Sequence, residues 1–85
     1  MAWICVDSDG TELYTKRLKP HRSAHGYWAD SLVIVNNSVT DTVRYLVEMP
    51  AGTIERFLKR KMTWKDEPVE VMDNYTKLVS LNKNI

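Results

Sequence analysis

The sequence has a single cysteine, Cys5, so it cannot form an intramolecular disulfide. No run of residues approaches the roughly 20 apolar residues that a membrane-spanning helix needs. The first six residues lack the basic stretch of a secretory signal, and Asp7 interrupts the short apolar run that begins there. We therefore expect a small cytoplasmic domain that folds in a reducing compartment without disulfide support.

Neither sign of charge dominates the chain, since 12 Lys and Arg residues stand against 11 Asp and Glu residues. A net charge of +1 argues against a basic nucleic-acid coat protein and against an acidic mimic of nucleic acid. Length sets a second limit, because surface scaling lets 85 residues bury only roughly 64% of the unfolded chain's surface. That burial suffices for a thin two-layer core but not for the deep cleft of most enzymes.

Strand and turn signals occupy the first part of the chain. Residues 3–6 are a β-prone run, and Asp7-Ser8-Asp9-Gly10 predicts a hairpin turn. The return strand is expected from about Glu12 to Leu18, and Pro20 prevents its continuation.

The middle of the chain predicts two more strands. Residues 27–35 end in the continuous apolar run Leu32-Val33-Ile34-Val35, which indicates burial on both faces. After the turn Asn36-Asn37-Ser38, apolar residues alternate along residues 39–49 and favour a fourth strand over a rival helix.

A helix and a final strand complete the pattern. Thr53 is expected to cap a helix whose apolar stripe consists of Ile54, Phe57, Leu58 and Met62. Residues 69–72 predict a last strand. This order implies an α+β fold, in which a small antiparallel sheet of about four to five strands carries one amphipathic helix on a face. Residues 1–73 are expected to form the single domain, and residues 74–85 a C-terminal tail or short element.

Two segments resemble small open reading frames of bacteriophages and of mobile elements integrated in gut-type bacteria. The first segment is Trp3-Ile4-Cys5-Val6-Asp7 with Asp9-Gly10-Thr11-Glu12. The second is Met49-Pro50-Ala51-Gly52-Thr53-Ile54, which leads into Met62-Thr63-Trp64-Lys65-Asp66-Glu67-Pro68-Val69-Glu70. The resemblance implies a viral protein acting in the cytoplasm of a bacterial host. Many such small phage proteins bind a host protein, including inhibitors of restriction and of RNA-guided defence nucleases (anti-CRISPR proteins).

Residues suited to catalysis or metal binding are few. Cys5 with His21 or His25 could form a nucleophile and base, but a thiol within an apolar strand is usually an inert core residue. The spacing of His21 and His25 occurs at zinc sites, yet no Cys-x2-Cys pair accompanies it. We therefore predict no enzymatic activity, no catalytic residue, no metal and no cofactor.

Binding residues are sought instead among cations and tryptophans. The first basic cluster comprises Lys16, Arg17, Lys19 and Arg22, and the second basic cluster comprises Arg56, Lys59, Arg60 and Lys61. Trp28 or Trp64 is the expected exposed anchor, because tryptophan is enriched at binding hot spots. Ordinary solvated charges and core aromatics explain the same residues without any binding function.

Two hypotheses follow from these residues. The first is a non-enzymatic binding protein whose partner is a host protein or ribonucleoprotein complex. The second is a small nucleic-acid-binding module in which the two basic clusters contact phosphates. An exposed apolar patch would favour the first hypothesis and a continuous basic face the second. Either form is compatible with a homo-oligomer, and neither involves a membrane.

Overall fold

The computed structural model describes residues 1–81 and shows eight strands and two helices in that part of the chain. In chain order these are β1 (Ala2–Val6), β2 (Glu12–Thr15), β3 (His21–Arg22), β4 (Trp28–Ala29), β5 (Ser31–Val35), β6 (Ser38–Thr42), β7 (Val47–Met49), α1 (Thr53–Leu58), β8 (Val69–Val71) and α2 (Tyr75–Ser80).

The central sheet has four antiparallel strands in the order β7-β2-β1-β8. Two further two-stranded sheets, β3-β4 and β5-β6, lie outside it. Strand β1 is an inner strand of the central sheet, and its Ile4 and Cys5 are fully buried. The fold class predicted from the sequence, a small α+β domain with an antiparallel sheet, is confirmed. No helix within residues 1–81 has the length and apolar character needed to cross a membrane.

The predicted N-terminal hairpin is also confirmed. The Gly10 N–H donates to the Asp7 carbonyl at 2.9 Å, and Gly10 has a φ of +90°, which an L side chain rarely adopts. Strand β2, however, ends at Thr15, so its predicted extension to Leu18 is wrong. Leu18 is 77% exposed in the loop that follows.

Helix α1 forms at the predicted position, but its cap is different. Gly52 occupies the N-cap position, and Thr53 is the first helical residue. The Glu12 carboxylate accepts hydrogen bonds from the N–H groups of Gly52 and Ile54, at 2.6 and 2.7 Å. A side chain of β2 thus supplies the acceptors that the start of α1 requires.

The helix is also shorter than its apolar stripe suggests. It ends at Leu58, because Lys59 takes a left-handed conformation with a φ of +63°. Ile54 and Met62 are buried, while Phe57 and Leu58 are half-buried against the core. Ile54 is therefore the residue of α1's apolar stripe that lies deepest in the core.

The third predicted strand is broken into β4 and β5 at Asp30. The Asp30 N–H donates to the Thr42 carbonyl at 3.2 Å, while Ser31 also faces Thr42 in the ladder. Two residues opposite one is the arrangement of a β-bulge, which bends a strand. Beyond the bend, β5 pairs with β6 and with no other strand among residues 1–81, so the predicted burial of residues 32–35 on both faces is wrong. The fourth strand is likewise interrupted, as β6 and β7.

The C-terminal part contains the predicted last strand as β8, followed by α2. The Asn74 side chain caps α2 by accepting the Lys77 N–H at 2.8 Å. Leu78 is 1% exposed and belongs to the core. Residues 74–81 thus hold a packed short element, and the remainder of the expected tail, residues 82–85, lies outside the described residues.

The Cys5 thiol is predicted to be chemically inert. It is fully buried, and burial, with a further contribution from the Asp7 carboxylate, raises the pKa of Cys5 far above its usual range. The thiol therefore stays protonated and shielded at neutral pH. We expect a thiol reagent at neutral pH to label the native protein about 100-fold more slowly than the protein in concentrated urea. Rapid labelling of the native protein would contradict this burial.

Candidate functional site

Strands β5 and β6 form a hairpin, here called the arm (residues 31–42). Its two-residue loop contains Asn36 and Asn37, with φ values of +50° and +67°. Positive φ at both loop residues is the type I′ geometry, which matches the right-handed twist of the paired strands. The ladder between the two strands is uninterrupted. The arm is thus a regular two-stranded ribbon.

One face of the arm exposes three large apolar side chains, here called the apolar strip. They are Leu32, Ile34 and Val39, which are 58%, 71% and 62% exposed. Ile34 lies directly opposite Val39 in the ladder, and Leu32 lies two residues from Ile34, so the three share a face. Val35, at 57% exposed, lies on the other face. Residues 31–40 contain no charged side chain. An exposed apolar strip on a stretch without charge is typical of an interaction site.

The arm makes few contacts with the rest of the described chain. Strands β5 and β6 pack on each other, and their contacts with other elements are sparse. The radius of gyration is 13.4 Å, compared with about 12 Å for a compact chain of this length. The arm therefore lies largely outside the compact body.

The buried Asp30 carboxylate fixes the base of the arm. It accepts hydrogen bonds from the N–H groups of Arg44 and Tyr45, at 2.8 and 2.6 Å. These bonds join the residue before β5 to the segment that follows β6. Both ends of the arm are therefore held together where they leave the body.

A second set of contacts holds the β6 side of the base. The His21 imidazole contacts the Asp41 carboxylate at 2.8 Å, and the Tyr27 hydroxyl donates to the Asp41 carbonyl at 3.2 Å. The arm is exposed, but its direction relative to the body is set by these contacts and by Asp30.

Exposed apolar side chains continue beyond the base of the arm. Val43, Tyr45 and Val47 are 49%, 42% and 46% exposed. Arg17 stacks its guanidinium over the Tyr45 ring at 4.2 Å. These three apolar residues lie between the arm and the start of β7, an edge strand of the central sheet.

Arg22 of the first basic cluster is used within the fold. Its guanidinium stacks on Trp28 and Trp64, 4.6 and 5.1 Å from the two ring centres. It also pairs with the Glu67 carboxylate at 2.6 Å. Arg22 is therefore not a free cation for a partner.

The other members of the first basic cluster, Lys16, Arg17 and Lys19, are exposed. Arg17 covers the Tyr45 ring, and the Lys19 ammonium lies 5.6 Å from the centre of the Trp3 ring. Two of these three cations therefore already lie against aromatic rings of the protein itself.

The two tryptophans considered as exposed anchors pack against each other instead, with ring centres 5.3 Å apart. Trp28 is 1% exposed, and its Nε1–H donates to the Val6 carbonyl at 2.8 Å. Trp64 is half-buried, and its carbonyl accepts a hydrogen bond from Arg22. The expected exposure of Trp28 is therefore wrong. The two tryptophans and Arg22 form a cluster that links β3 and β4 to the segment containing Trp64.

The second basic cluster is exposed but does not lie on one helix face. Arg56 is on α1, whereas Lys59, Arg60 and Lys61 follow its end. No hydrogen bond, ion pair or ring contact within residues 1–81 joins this cluster to the first basic cluster.

A shallow groove of about 620 Å³ separates the turn after β1 from the segment containing Trp64 and Lys65. Its Asp7 carboxylate accepts the Trp28 N–H at 2.8 Å. Its Asp9 carboxylate accepts the Thr11 N–H at 2.9 Å. Both carboxylates thus serve the local structure.

A smaller pocket of about 260 Å³ lies near β7. Aromatic rings and cations share its wall, which consists of Tyr14, Thr15, Lys16, Arg17, Tyr45, Val47 and Tyr75.

The histidines do not come together as a metal site. His21 contacts Asp41, whereas His25 stacks on Tyr27. Within residues 1–81, no group of three or more His, Cys, Asp or Glu side chains is placed to hold a metal ion.

The arm is a candidate site that the sequence pattern does not single out. The apolar run at residues 32–35 predicts a buried strand, because buried strands have this composition. Two signals in the sequence point the other way: the Asn36-Asn37 pair, which favours a tight hairpin, and the absence of charge from residues 31–40. Both are compatible with a free ribbon.

Comparisons of the chain with models of known protein families, with curated proteins and with solved structures found no match.

Proposed function

We propose that this is a non-enzymatic binding protein of phage type that engages a host protein through its arm. The observation that supports it most is the apolar strip of Leu32, Ile34 and Val39 on a ribbon outside the body whose residues 31–40 carry no charge. The proposed place of action is the cytoplasm of a bacterial host, and an inhibitor of a defence complex, such as an anti-CRISPR protein, fits the resemblance described above.

The energetics of the apolar strip support a binding role. Complete burial of a Val, Leu or Ile side chain is worth about 1.5–3 kcal/mol. The strip contributes little of this to folding, because its three side chains remain more than half exposed. A partner that covers them with an apolar surface gains that free energy on association.

The anchored base supports the same proposal. A flexible hairpin loses conformational entropy when it binds, whereas one held by Asp30 and Asp41 is ordered in advance. The arm therefore presents its strip in a fixed direction, as a recognition element requires.

Binding of single-stranded nucleic acid is the second candidate. Its support is the pocket near β7, where Tyr45 and Tyr75 lie beside Lys16 and Arg17. Aromatic rings beside cations can stack a base and contact a phosphate. We rank it second because Arg17 already covers the Tyr45 ring, and Arg22 of the same cluster is engaged by a carboxylate.

The test is capture from a nuclease-treated host lysate by the tagged protein and its variants. The double variant Ile34→Lys/Val39→Lys places two charges in the apolar strip, and we expect it to weaken binding of the captured protein about 100-fold. Leu18→Lys is the matched control, because it also replaces an exposed apolar residue, 77% exposed, with lysine. The control should bind like the unaltered protein.

Other outcomes would reject the proposal. Equal capture by the unaltered protein and the double variant would show that the arm is not the recognition element. If the protein captures a partner from an untreated lysate but not from the nuclease-treated lysate, and if this capture falls steeply as salt is raised, the nucleic-acid candidate is favoured. Circular dichroism of each variant checks that the fold is retained.

A further inference from the structure

We propose that the outer edge of β5 binds the same edge of a second copy of this chain, forming a four-stranded antiparallel sheet from two arms. Such pairing goes beyond host-protein binding and does not depend on it. The hydrogen-bonding directions, the symmetry and the charge of the arm all favour it.

The hydrogen-bonding directions follow from the hairpin. In a two-residue hairpin the residues that flank the loop form a hydrogen-bonded pair, here Val35 and Ser38. Bonded and non-bonded pairs alternate along an antiparallel ladder, so Val33 also bonds to β6. The N–H and C=O groups of Leu32 and Ile34 therefore point away from β6. Within residues 1–81 no backbone or side-chain group binds them from that side.

The β5 edge is self-complementary. If two β5 strands pair antiparallel about Val33, Leu32 of each copy lies opposite Ile34 of the other. Each of the two Leu32–Ile34 pairs then exchanges two main-chain hydrogen bonds, as hydrogen-bonded pairs do in an antiparallel ladder, which gives about four bonds across the interface. The symmetry axis is a two-fold axis perpendicular to the sheet, and two-fold symmetry is the commonest symmetry of homodimers.

Charge and edge protection also favour this partner. Natural proteins protect exposed edge strands with charges, prolines or bulges. Residues 31–35 contain neither a charge nor a proline, so a second copy meets no like charge there. The bulge at Asp30 and Ser31 lies at the start of β5, before the residues that would pair.

The β6 edge is less suitable for the same pairing. Asp41 brings a carboxylate to it, and the Asp41 carbonyl already accepts the Tyr27 hydroxyl. The β5 edge has neither of these obstacles, so we assign the pairing to β5.

The pairing has a consequence for the apolar strip. Opposite residues of antiparallel strands lie on one face, so the strips of the two copies become neighbours. Pairing also turns two separate two-stranded arms into one four-stranded sheet, and sheets of three or more strands are more stable than an isolated hairpin. The face of the joined strips remains open to a host protein.

The test is the association of the purified protein, measured by analytical ultracentrifugation from about 10 µM to about 1 mM. We expect the mass to rise from that of one chain to that of two over this range, since a small interface binds weakly. Ile34→Pro removes an outward N–H without touching the β5-β6 ladder, and should weaken association about 10-fold or more. Val39→Pro is the matched control, because it removes an apolar strip residue and an outward N–H from the β6 edge. It should dimerise like the unaltered protein.

A second measurement does not depend on a variant that folds. At the high concentration, the N–H groups of Leu32 and Ile34 should be protected from hydrogen exchange. After a dilution of about 100-fold this protection should be lost, because the dimer dissociates. The N–H groups of Val33 and Val35 should stay protected at both concentrations, because β6 binds them. A mass of one chain throughout the range would overturn the proposal, and so would equal weakening by both proline variants.

Discussion

Replacing Trp28 with alanine is expected to lower the free energy of unfolding by about 3–5 kcal/mol. Trp28 is the largest fully buried side chain, at 1% exposed. Its ring packs against Trp64 and the Arg22 guanidinium, and its Nε1–H donates to the Val6 carbonyl. The substitution therefore leaves a cavity and removes a donor from that carbonyl. Small domains have only about 5–15 kcal/mol of stability, so the native state should be largely lost at physiological temperature.

Urea unfolding followed by far-ultraviolet circular dichroism measures this effect. Trp64→Ala is the matched control, because Trp64 is half-buried in the same cluster and should cost less. Trp28→Phe keeps much of the apolar volume but loses the Nε1–H donor, and should fall between the unaltered protein and Trp28→Ala. A midpoint for Trp28→Ala close to that of the unaltered protein would show that this cluster does not hold the fold.

Asp30→Ala is expected to lower the free energy of unfolding by about 3 kcal/mol and to detach the base of the arm. The Asp30 carboxylate accepts the N–H groups of Arg44 and Tyr45. A hydrogen bond to a charged group contributes about 1.5–3 kcal/mol, and this substitution removes the two from the N–H groups of Arg44 and Tyr45. The bond from the Ser31 hydroxyl, at 3.2 Å, is also lost, but it joins adjacent residues and does not hold the base of the arm. We take the lower end of this range for each of the two hydrogen bonds from Arg44 and Tyr45. Both residues are exposed, so water can bind their N–H groups after the carboxylate is removed. The segment that joins β6 to β7 should then lose its fixed conformation.

Amide exchange distinguishes this local effect from general unfolding. In Asp30→Ala, the N–H groups of Arg44 and Tyr45 should exchange about 100-fold faster, and partner binding should weaken because the arm is no longer held. Asp30→Asn retains one acceptor oxygen and the side-chain size, so it should protect one of the two N–H groups. Unchanged exchange in Asp30→Ala would contradict the anchoring role.

Local sequence signals are sufficient for the elements that depend on their own residues. The turn from Asp7 to Gly10 forms as predicted, because the bond from the Gly10 N–H to the Asp7 carbonyl and the positive φ of Gly10 involve only neighbours. Strand β8 forms within the predicted residues 69–72, and α1 forms at the predicted place in the chain, although its cap differs.

Elements that depend on distant residues are not predictable in the same way. The start of α1 is capped by Glu12, a residue of another strand, so the prediction of Thr53 as the cap is wrong. The break at Asp30 depends on its hydrogen bonds with Thr42, Arg44 and Tyr45, which no local pattern connects to it. An apolar run cannot itself show whether a second sheet layer covers it, and for this reason residues 32–35 predict a buried strand although the arm is exposed.

The binding residues proposed from the sequence fall into two groups in the structure, those that pack within the fold and those that stay exposed. Arg22, Trp28 and Trp64 come together, but in a cluster that stabilises the fold. Other cations of the two basic clusters stay exposed, as any solvated charge would, namely Lys16, Arg56, Lys59, Arg60 and Lys61. The apolar strip is what distinguishes this surface from an ordinary one.

The most direct test of the arm as the recognition element is site-specific photo-cross-linking in a bacterial host. A photoreactive amino acid is placed at Ile34 in the apolar strip, and separately at the similarly exposed control positions Leu18 and Met72. We predict that the Ile34 position forms a covalent adduct with a host protein and that the two control positions do not. Adducts with the mass of two chains report self-association and are counted separately. Host-protein adducts from Leu18 or Met72 with none from Ile34 would contradict the proposed role of the arm.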